Sequence, residues 1–342
     1  MSAVAQYGSP MEVAERRVVV RGAEGPLGRR VVSLLGELDR IEVVESPTGE
    51  GSATTCDAIV ELGVGDHDTR ARRRESVTIG AADLLADATA TGADHVVLVS
   101  SAMVYGAMPN NPLPLTEDAA LRPDPEFVYA RQLASVEGVV EEWRRGDAQR
   151  AVAVLRPAVT MAADGTSSIA RALAAGSGQR FAEDDPGAQF VHLDDVASAV
   201  VLAITRRLDG VYNVAPDGWV PGERVRALAG ETPRLPLPER VREVVGALRW
   251  RFQRGPIPPG LHSYTREPWV IANDRLRAEG WQPTVTNEQA YVEGTEARWW
   301  TMITPKRRQE LSLGGLVLAG VAATAGLVSL GWRLRRRRRD RC

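Results

Sequence analysis

The sequence predicts an α/β fold, a doubly wound parallel sheet with a second, smaller region, and three observations carry that prediction. A β-rich run, Arg17 to Arg21, feeds directly into a Gly22-x-x-Gly25-x-x-Gly28 turn that opens a helix. Short, wholly apolar runs then alternate with amphipathic stretches of helical length, the pattern of strands buried on both faces and joined by crossover helices. With 342 residues, 44% of them hydrophobic, the chain has ample apolar surface for one large domain or two modest ones.

Residues 1–16 read as a loose leader, since they lack the basic start and apolar stretch of a secretory signal. Arg17 to Arg21 is the first strand, and Arg29 to Leu38 the first helix. The glycines between them are required because a side chain would block the tight turn, the approach of backbone N–H groups to a pyrophosphate, and close helix–strand contact. Gly22, Gly25, Pro26, Leu27 and Gly28 are therefore candidate dinucleotide-binding positions. Ile41 to Glu45 is the next strand, and Glu45 ends it 23 residues after Gly22. A carboxylate there accepts hydrogen bonds from an adenosine ribose and repels a 2′-phosphate, so NAD is expected in preference to NADP.

Ala58 to Leu62 starts another buried strand only a dozen positions later. A parallel crossover needs a dozen or more residues plus its own strand, so a strand–helix unit is expected to be missing from this edge of the sheet. Arg70, Arg72, Arg73 and Arg74 come next and read as a solvated face rather than as phosphate ligands. Thr78 to Thr91 is the following helix, and His95 to Ser100 a strand whose carboxyl end falls at the crevice of a doubly wound sheet. Tyr129 to Trp143, Pro221 to Gly230, Pro238 to Gln253 and Asn287 to Trp300 read as helices, with a loop marked by Pro256, Pro258 and Pro259.

Ser100-Ser101-Ala102-Met103-Val104-Tyr105-Gly106 ends a strand, and Tyr129 follows Ser101 by 28 residues at the start of a helix. Together with the glycine turn, this layout resembles the extended short-chain dehydrogenase/reductases of the NAD-dependent epimerase/dehydratase family, whose fold is Rossmann-like. Ala151 to Pro157 and Gly210 to Pro216 match that family's sixth and returning strands, Ala272 to Pro283 its late helix and exit, and the likeness spans about residues 17–300. It implies a dinucleotide region at 17–157 and an interleaved substrate region at 158–300. It further implies that Tyr129 is the acid/base, that Ser101 orients the substrate oxygen, and that hydride passes between NAD and a nucleotide sugar or other polyol-like substrate. Gly63, within Glu61-Leu62-Gly63-Val64-Gly65, stands where the family has His-Leu-Ala-Ala beside the nicotinamide ribose; Gly63 keeps the backbone approach and Glu61 departs from the pattern.

One residue of the family's set is absent. The lysine one helical turn after the tyrosine, which lowers the phenol's pKa, is Leu133 here, and the chain's single lysine is Lys306. An unshifted phenol with a pKa of about 10 is ionised to roughly one part in a thousand at pH 7. Ala102 and Met103 replace the Asp-Glu pair of the sugar 4,6-dehydratases, so dehydration is not expected. His192, Asp194 and Asp195 match the segment that closes the substrate region against the sheet and read as structural. Two function classes follow: an atypical oxidoreductase or epimerase, or a redox-impaired NAD(P)-binding sensor or scaffold.

The net charge of −2 gives no bulk basicity, so nucleic acid is not an expected partner. Cys56 and Cys342 offer no metal-ligand spacing and no disulfide framework. After a basic linker at 301–310, Leu311 to Trp332 carries no charge over 22 residues, and at about 1.5 Å per residue spans roughly 33 Å, enough for a transmembrane helix. Small residues at Ala319/Ala323 and Ala322/Gly326 are compatible with a homodimer of such spans. The tail at 333–342 holds seven Arg against three cations upstream, which leaves its side of the bilayer open, while the dinucleotide domain is expected in the cytoplasm. The lipid bilayer and a small-molecule substrate are thus the expected partners, and actinobacterial epimerase-like proteins with a hydrophobic C-terminal tail the expected relatives.

Overall fold

Six parallel strands form the main sheet of the computed structural model, which describes residues 16–44, 55–62, 76–177, 186–229 and 259–295. In chain order the strands are β1 (Arg16–Arg21), β2 (Ile41–Val44), β3 (Ala58–Glu61), β4 (His95–Val99), β5 (Ala151–Pro157), β6 (Val159–Met161), β7 (Phe190–His192) and β8 (Gly210–Val214). The helices are α1 (Pro26–Gly36), α2 (Ser76–Thr91), α3 (Val128–Arg145), α4 (Ser168–Gly176), α5 (Leu193–Arg206), α6 (Gly222–Ala229), α7 (His262–Arg266), α8 (Asp274–Ala278) and α9 (Asn287–Gly294). The main sheet runs β2-β1-β3-β4-β5-β8, and β6 and β7 form a separate parallel pair. The chain steps from β1 to β2, then returns past β1 to β3 and continues the other way. That reversal places a crevice at the carboxyl ends of β1 and β3.

Strand residues alternate between the two faces, and each face buries its own set. Val18, Val20, Val97, Val99 and Leu155 pack with Val31 and Leu35 of α1 and with Val196, Val200 and Ile204 of α5. Val19, Ile59, Val96, Leu98 and Val154 pack with Leu84 and Ala88 of α2 and with Leu133, Val136 and Val140 of α3. A third cluster joins Met161, Leu173, Phe190 and Tyr291 around β6, β7, α4 and α9. The described residues all belong to one unit of the chain, residues 1–229 and 238–295; the other, residues 230–237 and 296–342, lies outside them.

Among the described residues β2 is the edge of the sheet, with thirteen residues between Val44 and Ala58, in keeping with the short spacing in the sequence. Element ends differ from the sequence-based expectation. The first helix begins at Pro26 rather than Arg29, because proline's fixed φ suits the first helical position and its missing N–H costs nothing there. The helix expected over 287–300 ends at Gly294, where Thr295 takes up extended backbone and a Cβ on Gly294 would lie 2.7 Å from that of Met161. The late helix is reduced to α8, closed by Gly280 at φ +96°. Glu45, Gly63, the arginines at 70–74 and the helix expected at 238–253 lie outside the described residues. Among the described residues no helix is long and apolar enough to cross a membrane, and Leu311–Trp332 is not among them.

Candidate functional site

The site begins where β1 ends. Gly22 takes φ +83°, a left-handed conformation that a side chain disfavours, and its carbonyl accepts the Gly25 amide at 3.1 Å to close the turn. Gly28 fits beneath: a Cβ there would lie 2.2 Å from the Gly22 oxygen and 2.5 Å from Ala23 Cα. Gly25 caps α1 without a side chain, and Pro26 opens it. The turn therefore presents bare backbone to the space above the sheet.

That space is a cavity of about 650 Å³ at the carboxyl ends of the parallel strands. It is lined by the turn from Gly22 through Gly28, by Leu62 after β3, by Val99, Ser100 and Ser101 after β4, by Pro157 through Thr160 after β5, and by Tyr129 of α3. Far apart in the sequence, the turn, Ser101 and Tyr129 line one cavity because their strands and helix end on the same edge of the sheet. Residues of α4 and Trp269 complete the far wall.

Ser101 caps the short 3₁₀ turn Ala102–Tyr105, and its Oγ accepts the Met103 amide at 3.3 Å. The hydroxyl hydrogen is left to donate elsewhere. Tyr129 sits in the first turn of α3, half-buried, with its ring edge-on to Phe127 at 5.8 Å between centroids. One turn further along, Leu133 is wholly buried in the cluster of Leu98, Val104 and Val136. Hydrocarbon thus fills the position at which the family resemblance expects an ammonium group.

Beneath the cavity floor lies a polar network that the sequence did not announce. Ser100 Oγ donates to Glu137 on α3, and Glu137 pairs with Arg156 of β5 at 2.6 Å, both side chains 5% exposed. Arg156 also donates to the Tyr105 hydroxyl at 2.7 Å and lies over its ring, and that hydroxyl donates to Asn213 of β8 at 2.8 Å. Burial works to discharge the Arg156 guanidinium, but the hydrogen bonds and charge of Glu137 outweigh it and raise its pKa; burial raises that of the Tyr105 phenol. The signal was present in principle. Glu137 follows Leu133 by one turn on the face of α3 that packs inward, so its carboxylate required a buried partner.

Glu61 departs from the resemblance pattern and is likewise accounted for. It lies opposite Arg21 in the β1–β3 register and pairs with it at 2.8 Å, while Arg21 also reaches Asp87. Asp195 accepts hydrogen bonds from the Thr284 amide at 2.9 Å, the Thr284 hydroxyl at 2.7 Å and the Val285 amide at 3.1 Å. His192 contacts Glu293 at 2.9 Å, and Asp194 pairs with Arg30 of α1. All three residues of that segment act as fasteners between elements, as expected. Arg30 also holds Asp164 at 2.6 Å, which keeps that carboxyl below its ordinary pKa.

Residues 49–215 match the model of a family described as the NAD dependent epimerase/dehydratase family. Over that stretch, just under half of its length, the chain is similar to that family. Among curated proteins it is 26% identical over 215 residues to uncharacterized proteins of Mycobacterium tuberculosis and Mycobacterium bovis, a match covering 63% of this chain and 57% of theirs. The matched stretch therefore spans little more than half the length of those relatives. Among solved structures, the UDP-Glc/GlcNAc 4-epimerase of Campylobacter jejuni superimposes with a TM-score of 0.60 at 14% identity, covering 82% of this chain and 97% of that one. The UDP-glucose 4-epimerase of Thermus thermophilus, in complex with NAD, gives 0.57 at 18% identity over 81% and 97%. RMD from Pseudomonas aeruginosa, complexed with NADPH, gives 0.57 at 18% identity over 82% and 98%. At these identities the likeness establishes the fold that the family shares.

Proposed function

We propose that this chain binds NAD in the cavity above the glycine turn and carries out hydride chemistry on a nucleotide sugar or another polyol-like small molecule. The single observation behind the reading is that one cavity of about 650 Å³, a volume ordinary for ligand sites, is lined by the turn, Ser101 and Tyr129 together. The close fit of Gly28 under the Gly22 carbonyl supports a dinucleotide, since a cradle that admits no side chain lets backbone amides approach a diphosphate. Solved relatives of the same fold contain NAD or NADPH, and Glu45 in the sequence argues for NAD. Leu27 and Gly28 would hold the diphosphate through their amides. The bound cofactor would supply the hydride acceptor.

On the protein's side, Tyr129 in its phenolate form would take the proton of the substrate hydroxyl, and Ser101 donates its hydroxyl hydrogen to that same substrate oxygen to fix its position. The apolar span Leu311–Trp332 takes no part in this chemistry; it is proposed as a membrane anchor that holds the domain at the bilayer surface.

A second reading is favoured by Leu133. With hydrocarbon one turn from Tyr129, the chain is a redox-impaired NAD sensor or scaffold. The test is NAD reduction, followed by absorbance, over a panel of nucleotide sugars with the wild type, Tyr129→Phe and Leu133→Lys. An enzyme with a weakened site shows turnover that Tyr129→Phe lowers by about 100-fold or more and that Leu133→Lys raises. Because a lysine at 133 enters an apolar cluster, its folding is checked by thermal unfolding, with Leu133→Met as the apolar control. No turnover in any variant, with NAD binding intact by calorimetry, selects the sensor. Failure of both NAD and NADP to bind removes both readings.

A further inference from the structure

We infer that the dinucleotide is an exchanging ligand of this site rather than a resident one, because the glycine turn has few free donors and a carboxylate of its own where a diphosphate would lie. The inference rests on the cofactor reading above and concerns how long the cofactor stays. A helix start holds an anion through its unpaired first amides. Here Pro26, at the first helical position, has no N–H, and the Gly25 amide is already donated to the Gly22 carbonyl at 3.1 Å. Leu27 and Gly28 are the donors left in the first turn of α1.

Charge works in the same direction. Among the described residues lining the cavity, Glu24 and Asp164 are acidic and Arg171 is basic, and Asp164 is paired with Arg30 at 2.6 Å. Glu24 lies within the turn itself, exposed, where its carboxylate repels the phosphates. Of the arginines that follow the turn, Arg30 is held by Asp164 and Asp194, while Arg29, whose guanidinium donates to the Glu24 carbonyl at 2.5 Å, keeps its charge and offsets part of that repulsion. The turn keeps the shape of a diphosphate cradle and has lost much of its grip.

Residence time separates chemistries that share this fold. A site that returns a hydride to the opposite face of the same substrate must keep the cofactor through both halves of the reaction. A site that lets it go would carry out net oxidation: a bound NAD would accept the hydride from the substrate carbon, the hydroxyl proton would pass to the Tyr129 phenolate and on to solvent, and carbonyl product and NADH would both leave. An exchanging cofactor therefore points to a dehydrogenase, or to a sensor that follows the NAD pool, rather than to an epimerase.

The test is the NAD content of the purified full-length chain, measured in its denatured extract, with calorimetric affinities for NAD and adenosine. The wild type is expected to carry little NAD and to bind it with a Kd of roughly 10 µM to 1 mM. Pro26→Ala, which restores an amide, is expected to tighten NAD about tenfold, and Glu24→Gln several-fold, with adenosine affinity unchanged in both. Glu24 is exposed, so its variant reads the charge effect without a folding cost. Stoichiometric NAD in the wild-type extract, or unchanged NAD affinity in both variants, overturns the inference while leaving the cofactor reading intact. No NAD binding by the wild type or the double variant at millimolar concentration removes the cofactor reading and the inference with it.

Discussion

Glu137 shows how a single buried carboxylate ties this site together. It accepts from Ser100, whose neighbour Ser101 lines the cavity, and it neutralises Arg156, which in turn holds the Tyr105 hydroxyl. Removing one partner of a buried pair leaves an uncompensated charge, which costs about 3–5 kcal/mol. Glu137→Ala should therefore lower stability by about that much in urea unfolding, while Glu137→Gln, which keeps hydrogen bonds to both neighbours, should lose less. Equal losses for the two would mean that Arg156 requires the charge itself, and that the hydrogen bonds a glutamine keeps contribute nothing. The pair also marks the limit of reading residues from sequence. The glycines of the turn were legible because backbone geometry allows nothing else at Gly22 and Gly28. The partnership of Glu137 with Arg156 was not, because it joins a helix to a strand 19 residues away and leaves no local trace.

At the scale of elements, the strands were the most legible part. β3, β4 and β5 are buried from end to end, so they read as continuous apolar runs, and alternation within each run assigns residues to the two helical layers. Element ends were less legible because tertiary contacts set them, as at Gly294 against Met161. The packing of α5 depends on such a contact. Asp195 accepts three hydrogen bonds from Thr284 and Val285, and its backbone carbonyl accepts the Trp281 indole N–H at 3.2 Å. Asp195→Ala leaves the Thr284 and Val285 donors without their acceptor, and since water reaches these part-buried groups the cost is about 0.5–1.5 kcal/mol for each bond lost. The expected result is a lower thermal midpoint together with faster proteolytic cleavage in residues 281–295, since the carboxylate is what pins that segment to α5. Cleavage unchanged despite a lower midpoint would assign Asp195 to α5 alone.

Across the whole molecule, the site and the main pH sensor of stability sit at opposite ends of the sheet. His95 opens β4 at its amino end, wholly buried, whereas the cavity lies beyond the carboxyl end of the same strand. Arg16 donates to its Nδ1 at 3.2 Å, so Nε2 carries the hydrogen and donates to the Leu208 carbonyl at 3.1 Å. Burial, with the positive charges of Arg16 and Arg207 against the weaker pull of Asp94, lowers its pKa from 6.5 to about 4. The unfolded chain therefore binds this proton more readily than the folded one. The contribution is fully present above about pH 6.5 and is lost as the pH falls towards 4, in total about 3 kcal/mol. Asp164 and Asp217, held below their ordinary 3.8 by arginines, and Glu141, held below 4.5, release their contributions only at lower pH. Between pH 6.5 and 4.5 the loss should thus belong chiefly to His95. Denaturant midpoints at pH 7.0, about 5.5 and about 4.5 should decline in the wild type and stay nearly level in His95→Gln, which is neutral throughout. NAD affinity over the same range should follow the wild type in the variant, because no group at the amino end of β4 reaches the cavity. A pH-dependent affinity that disappears in His95→Gln would show that the two ends of the sheet are coupled.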